Sequence, residues 1–97
     1  MTTLYRRRPG VTERVVGSTV FLANPDTGSL YRLNATGTAL WRLLAEPIGR
    51  DEAVGVFCEA FPDRASNDVR SDIEGLLDAL IEEALAEEAV RTEAASS

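Results

Sequence analysis

Gly28-Ser29-Leu30-Tyr31-Arg32-Leu33-Asn34-Ala35-Thr36-Gly37, followed by Leu40-Trp41, decides how this chain is read. Leu30 to Leu33 is an alternating run of strand length. Side chains alternate across a strand, so Tyr31 and Leu33 share one face and Leu30 and Arg32 the other. Asn34 is a good N-cap, because its side-chain oxygen accepts an amide that the first helical turn leaves without a partner. The stretch predicts a short strand passing without a linker into a helix from about Ala35 to Ala45. Leu40, Leu43 and Leu44 form the apolar stripe of that helix, and Trp41 sits in the core or at its edge.

Upstream, Thr19-Val20-Phe21-Leu22-Ala23 is β-branched and aromatic, again of strand length. The turn Asn24-Pro25-Asp26-Thr27-Gly28 joins it to Leu30–Leu33 as a hairpin, with Pro early and Gly late in the turn. Thr12 to Val16 reads as a further strand, separated by the turn signal Gly17-Ser18. Residues 1–9 contain Arg6-Arg7-Arg8 and read as a flexible, solvated arm. The alternative is that the three arginines grip an acidic partner or the acidic half of the chain itself.

Downstream, Pro47 breaks the first helix. A second helix is predicted from about Arg50 to Ala60, with Ala53, Val56, Phe57 and Ala60 inward and Asp51-Glu52 favourable in its first turn. Ser66-Asn67-Asp68 caps a third helix. Val69, Ile73, Leu76, Leu80 and Ala84 form one stripe on it, and Leu77, Ile81 and Leu85 a second beside the first. Either a small core wraps both stripes, or the second floors a groove rimmed by Arg70 and Glu74. The ordered helix is expected to end near Ala86, and residues 87–97 to be a frayed tail, most clearly from Thr92 to Ser97. The fold class is therefore α+β, a three-stranded antiparallel sheet followed by three helices, in one domain over residues 10–86.

The 97 residues carry a net charge of −6, unevenly spread. Up to Arg50 there are seven arginines against Glu13, Asp26 and Glu46; from Asp51 onward, thirteen carboxylates face Arg64, Arg70 and Arg91. An acidic half without a single lysine is a poor match to nucleic-acid phosphate. Cys58 is alone and histidine is absent, so neither a disulfide framework nor a Cys/His metal site is encoded. With no imidazole beside it, Cys58 reads as a buried inert thiol. Glu82-Glu83 and Glu87-Glu88 read as a solvated face, not an acid/base pair. No phosphate-binding glycine motif occurs. No apolar run reaches the roughly 20 residues that span a bilayer, and the opening lacks a signal-peptide core, so the expectation is a cytoplasmic protein with no cofactor and no membrane partner. A binding module is expected, not an enzyme.

Tyr31-Arg32-Leu33-Asn34-Ala35-Thr36-Gly37 with Leu40-Trp41, and then Asp72-Ile73, Leu76-Leu77 and Leu80, resemble the pyrroloquinoline-quinone biosynthesis protein D (PqqD) type over about residues 10–86. These are peptide-recognition elements of pathways that modify ribosomally made peptides. The chain departs from the pattern twice. Ala84 stands where the family's last helix has Gly, so that helix is expected to run on. Gly49 or Arg50 stands where the second helix often has a Ser or Thr cap.

The resemblance implies a winged-helix-like domain that binds the leader segment of a precursor peptide by strand addition. Ser29, Leu30, Tyr31, Arg32 and Leu33 would supply the strand edge. Val69, Arg70, Ile73, Glu74 and Leu77 would supply a helix wall. The implied partner is a radical S-adenosylmethionine enzyme or, in lasso-peptide pathways, a transglutaminase-like leader peptidase. The alternatives are a winged-helix DNA-binding regulator, or a structural subunit that self-associates as a homodimer through its strand edge.

Overall fold

The structure, a computed structural model, describes residues 3–89. In chain order the elements are β1 (Leu4–Arg7), β2 (Thr12–Val16), β3 (Thr19–Asn24), β4 (Ser29–Leu33), α1 (Ala35–Leu43), β5 (Ile48–Gly49), α2 (Arg50–Ala60), α3 (Ser66–Glu82) and β6 (Ala86–Ala89). The architecture is α+β, and the expected antiparallel sheet β2-β3-β4 is present. Gly17 makes the first tight turn at φ +62°, a conformation that glycine adopts without penalty. Gly28 closes the second turn at φ +73°, its N–H donating to the Asn24 carbonyl at 2.8 Å.

Strand β3 alternates strictly. Val20, Leu22 and Asn24 are buried, and Thr19, Phe21 and Ala23 are half-exposed on the other face. Asn24 is the one buried polar side chain among the described residues. Its Nδ2 donates to the Ala84 carbonyl at 2.8 Å, and its Oδ1 accepts from the Asp26 N–H at 2.9 Å. Both ends of the amide are therefore satisfied, which removes most of the cost of burying it.

A second antiparallel sheet, β5-β1-β6, lies outside what the sequence predicts. Leu4–Arg7, expected in a flexible arm, form its central strand, and Glu87–Ala89, expected in a frayed tail, belong to its edge. The arginines explain the difference, because each finds a partner. Arg6 lies opposite Glu87 and pairs with its carboxylate at 2.8 Å. Arg7 lies over the Trp41 ring at 4.7 Å and donates through Nε to the Trp41 carbonyl at 2.9 Å. Arg8 pairs with Asp26 at 3.4 Å, and its N–H donates to the Leu85 carbonyl at 2.9 Å. The expected tail from Thr92 to Ser97 lies outside the described residues.

Helix α3 stops at Glu82 rather than running towards Ala86. Ala84 takes the left-handed conformation, φ +59°, without the help of glycine. Its N–H donates to the Ile81 carbonyl at 3.0 Å, and the Leu85 N–H donates to the Leu80 carbonyl at 2.8 Å. That pair of bonds is a Schellman cap. Burial of Leu85 and Ala86, together with the Asn24 bond to the Ala84 carbonyl, offsets the steric cost of the turn.

The core lies between the inner face of β2-β3-β4 and the helices. It gathers Leu22 and Leu33 with Leu40, Trp41 and Leu44 of the α1 region and Val69, Ile73, Leu77 and Leu80 of α3. Trp41 is 2% exposed and donates through Nε1 to a Glu13 carboxylate oxygen at 2.9 Å. In α2 the buried set is Ala53, Val54 and Phe57; Val56 and Ala60, expected inward, are exposed.

Candidate functional site

Sheet β2-β3-β4 has two edges, and they differ. Strand β2 is exposed along its whole length. Strand β4 borders a groove of about 260 Å³ lined by Tyr31, Arg32, Leu33, Asn34, Gly37 and Leu76. The outer edge of β4 pairs with no other strand of the described residues, so alternate N–H and C=O groups along it are available to a further strand. The strand-to-helix passage predicted from the sequence sets the groove. Asn34 accepts the Gly37 N–H at 2.7 Å, which starts α1 directly at the end of β4. A Cβ on Gly37 would lie 3.2 Å from both Asn34 Oδ1 and Leu33 Cδ2, so glycine lets helix and strand meet closely here.

The five strand residues singled out from the sequence lie together on this edge. Leu30 and Arg32 are exposed on the outer face, and Leu33 is buried on the inner face with Tyr31 and Ser29 half-buried above it. The five helix residues do not gather there. Val69, Ile73 and Leu77 are at most 2% exposed and belong to the core. Arg70 lies on the α2 side of α3, where Nη1 donates to Asp51 at 2.9 Å and to Glu74 at 3.4 Å. The Asp51 hydrogen bond, with Coulomb help from Asp51 and Glu74, raises the Arg70 pKa. Arg70 thus bridges α3 to Asp51 of α2, Glu74 pairs with it along α3, and neither lines the groove beside β4.

The wall that faces β4 is made instead by Leu76, half-buried in the groove, and by Asp72, which lines the adjoining depression with Asn34, Thr36 and Leu76. Asp72 is paired with Arg64 at 2.6 Å. The sequence put Leu76 in the first apolar stripe and left Leu77 either in a core wrapping both stripes or on a groove floor; Leu77 is buried in the core, and Leu76 lines the groove. Apolar spacing locates the buried centre of a helix but not which border the sheet leaves open. The signal that was available is Asp72, one turn before Leu76, since a carboxylate marks the border where solvent begins.

Cys58 is half-buried on α2. Among the described residues no group of three or more His, Cys, Asp or Glu side chains is placed to hold a metal ion. Among them, too, no helix is long and apolar enough to cross a membrane. The arrangement offers main-chain hydrogen bonds along one edge and an apolar floor beside it, which is equipment for holding an extended peptide.

The family model described as coenzyme PQQ synthesis protein D (PqqD) matches residues 19–86, from the start of β3 to the start of β6. No curated protein matches the chain significantly. Two solved structures are similar. One is TbiB1 in complex with the TbiA(beta) leader peptide, 26% identical, with a TM-score of 0.74 over 89% of this chain and 99% of that one. The other is lasso peptide synthetase B1 complexed with the leader peptide, 20% identical, with a TM-score of 0.72 over 86% of this chain and 96% of that one. The second likeness is one of fold alone.

Proposed function

The chain belongs to the PqqD family, and from that premise we propose that it is a non-catalytic carrier for the leader segment of a ribosomally made precursor peptide. The observation that carries this reading is the open β4 edge beside the Leu76 groove, on a fold that TbiB1 presents in complex with a leader peptide. The leader adds as a strand along Ser29–Leu33. Main-chain hydrogen bonds supply affinity that tolerates sequence change, and the groove selects side chains. Burial of the bound segment against Tyr31, Leu33 and Leu76 holds it at a fixed register, leaving the rest of the precursor free for a separate enzyme.

That enzyme is a leader peptidase of the transglutaminase-like type in a lasso-peptide pathway, or a radical S-adenosylmethionine enzyme in a related one. The carrier works in the cytoplasm, where the precursor is made. A DNA-binding role fits poorly, because α3 carries Asp68, Asp72, Glu74, Asp78 and Glu82 against a single arginine, Arg70, which is already paired with Asp51 and Glu74. Self-association through β4 would use the same edge and compete with the peptide.

Fluorescence polarisation with a labelled leader peptide, taken from the short precursor encoded beside this gene, tests the proposal. Binding in the micromolar range or tighter is expected, and it should weaken about five- to tenfold with Leu76→Ala. A folded, monomeric protein that fails to bind the leader would overturn it.

A further inference from the structure

Arginine is unevenly employed in this fold. Arg6, Arg8, Arg50, Arg64 and Arg70 are each paired with a carboxylate, and Arg7 is stacked on Trp41. Arg14, Arg32 and Arg42 have no ion pair among the described residues; Arg42 lies in α1, and the other two lie in the sheet. The register aligns these two: Arg14 lies opposite Phe21, and Phe21 lies opposite Arg32. Residues directly opposite one another in an antiparallel sheet share a face, so a row of Arg, Phe and Arg crosses the outer face and ends at the open edge. No helix of the described residues covers that face, and Leu30, two residues before Arg32 on the same side, is 65% exposed.

We infer that Arg32 is a carboxylate-reading position, and that the peptide accepted by this edge carries Asp or Glu directly opposite it. The inference rests on the strand-addition reading above and specifies its ligand. A strand added to β4 places one of its side chains across from Arg32, with Cβ atoms about 5 Å apart. An acid there meets a guanidinium that pairs with no other carboxylate among the described residues. A Lys or Arg there meets Arg32, with Arg14 two strands further along the same face. The neighbouring positions follow from the two-residue period. The residue opposite Tyr31 points to the inner face and fills the groove beside Leu76, so it is apolar. The residue opposite Leu30 returns to the outer face against an exposed leucine, so it too is apolar. The recognised core is therefore an acid followed or preceded by two apolar residues, the order depending on strand direction.

Selection of random 12-residue peptides by messenger-RNA display on the wild-type chain and on Arg32→Glu tests this. Arg32 is exposed and outside the core, so the variant folds; a thermal melt of each protein accompanies the selection. The expected result is an acid at one fixed position beside two apolar residues on the wild type, replaced by Lys or Arg on Arg32→Glu. In an enriched peptide, changing the acid to its amide should weaken wild-type binding about two- to fivefold, and leave binding to Arg32→Ala unchanged. Peptides enriched without a fixed acid, or with the same acid on both proteins, would overturn the inference while leaving the carrier reading intact. A folded protein that enriches no peptide at all overturns both.

Discussion

Leu76 and Leu77 are neighbours in sequence, and truncating each to alanine should have opposite consequences. Leu77 is 1% exposed, within the core cluster. Emptying such a site costs about 3–5 kcal/mol, counting lost transfer and the cavity left behind. Domains of this size are stable by roughly 5–15 kcal/mol, so Leu77→Ala removes a large fraction, and its unfolding midpoint in urea should fall sharply. Leu76 is half-buried at the groove. Its truncation should cost the free protein only about 1 kcal/mol, because half of its surface already meets solvent. A bound leader would cover that remaining half, and losing about 1 kcal/mol or slightly more there weakens binding about five- to tenfold. The assay pairs urea unfolding with leader-peptide polarisation, each variant measured at a temperature where it is more than nine-tenths folded. Unchanged affinity in Leu76→Ala, together with weakened affinity in folded Leu77→Ala, would move the groove to the Arg70–Glu74 side of α3 and refute the argument.

Three further outcomes follow from local geometry. Ala84→Gly should stabilise the chain by roughly 0.5–1 kcal/mol, since relief of left-handed strain exceeds the entropy added to the unfolded state; a lower melting temperature would mean that the helix runs on through Ala84. Asn24→Ala leaves the Ala84 carbonyl and the Asp26 N–H without their partners and should cost about 1–3 kcal/mol by denaturant titration; a loss under 0.5 kcal/mol would mean that water replaces both bonds. Asn34→Ala should cost about 1 kcal/mol while Asn34→Ser costs little, because serine also accepts the Gly37 N–H; equal losses in the two melts would show that capping is not what Asn34 contributes.

What the sequence revealed was what local rules control. The β2, β3 and β4 hairpins have their turn residues between them, and α1 has its cap in Asn34, so strand and helix edges fell close to prediction. Strand β1 was not legible. It is four residues long, two of them arginine, and its partners lie far along the chain at Ile48–Gly49 and Ala86–Ala89. No periodicity in residues 4–7 announces such pairings. Ala84 escaped for a related reason: intrinsic preference favours glycine at a left-handed cap, but the buried Asn24 amide and the burial of Leu85 override it. At the site, alternation sorted the two faces of Leu30–Leu33, and the choice of Ser29–Leu33 as the binding edge came from the family resemblance. The helix wall was not legible, because Leu76 and Leu77 differ only in which side of the buried stripe they border.

The clasp of β1 between β5 and β6 also orders events in time. Arg6 and Glu87 are separated by 81 positions, whereas β2 and β3 are joined by a turn of two residues. Closing a loop of that length costs roughly 4 kcal/mol of chain entropy on the (3/2)RT ln n scaling, against little for the hairpins. The sheet that carries the β4 edge can therefore form from contiguous chain as it leaves the ribosome. The β1 strand, made first, must wait for nearly the last described residues before it acquires its second partner. The peptide-binding edge is thus an early product of folding, and the clasp a late one.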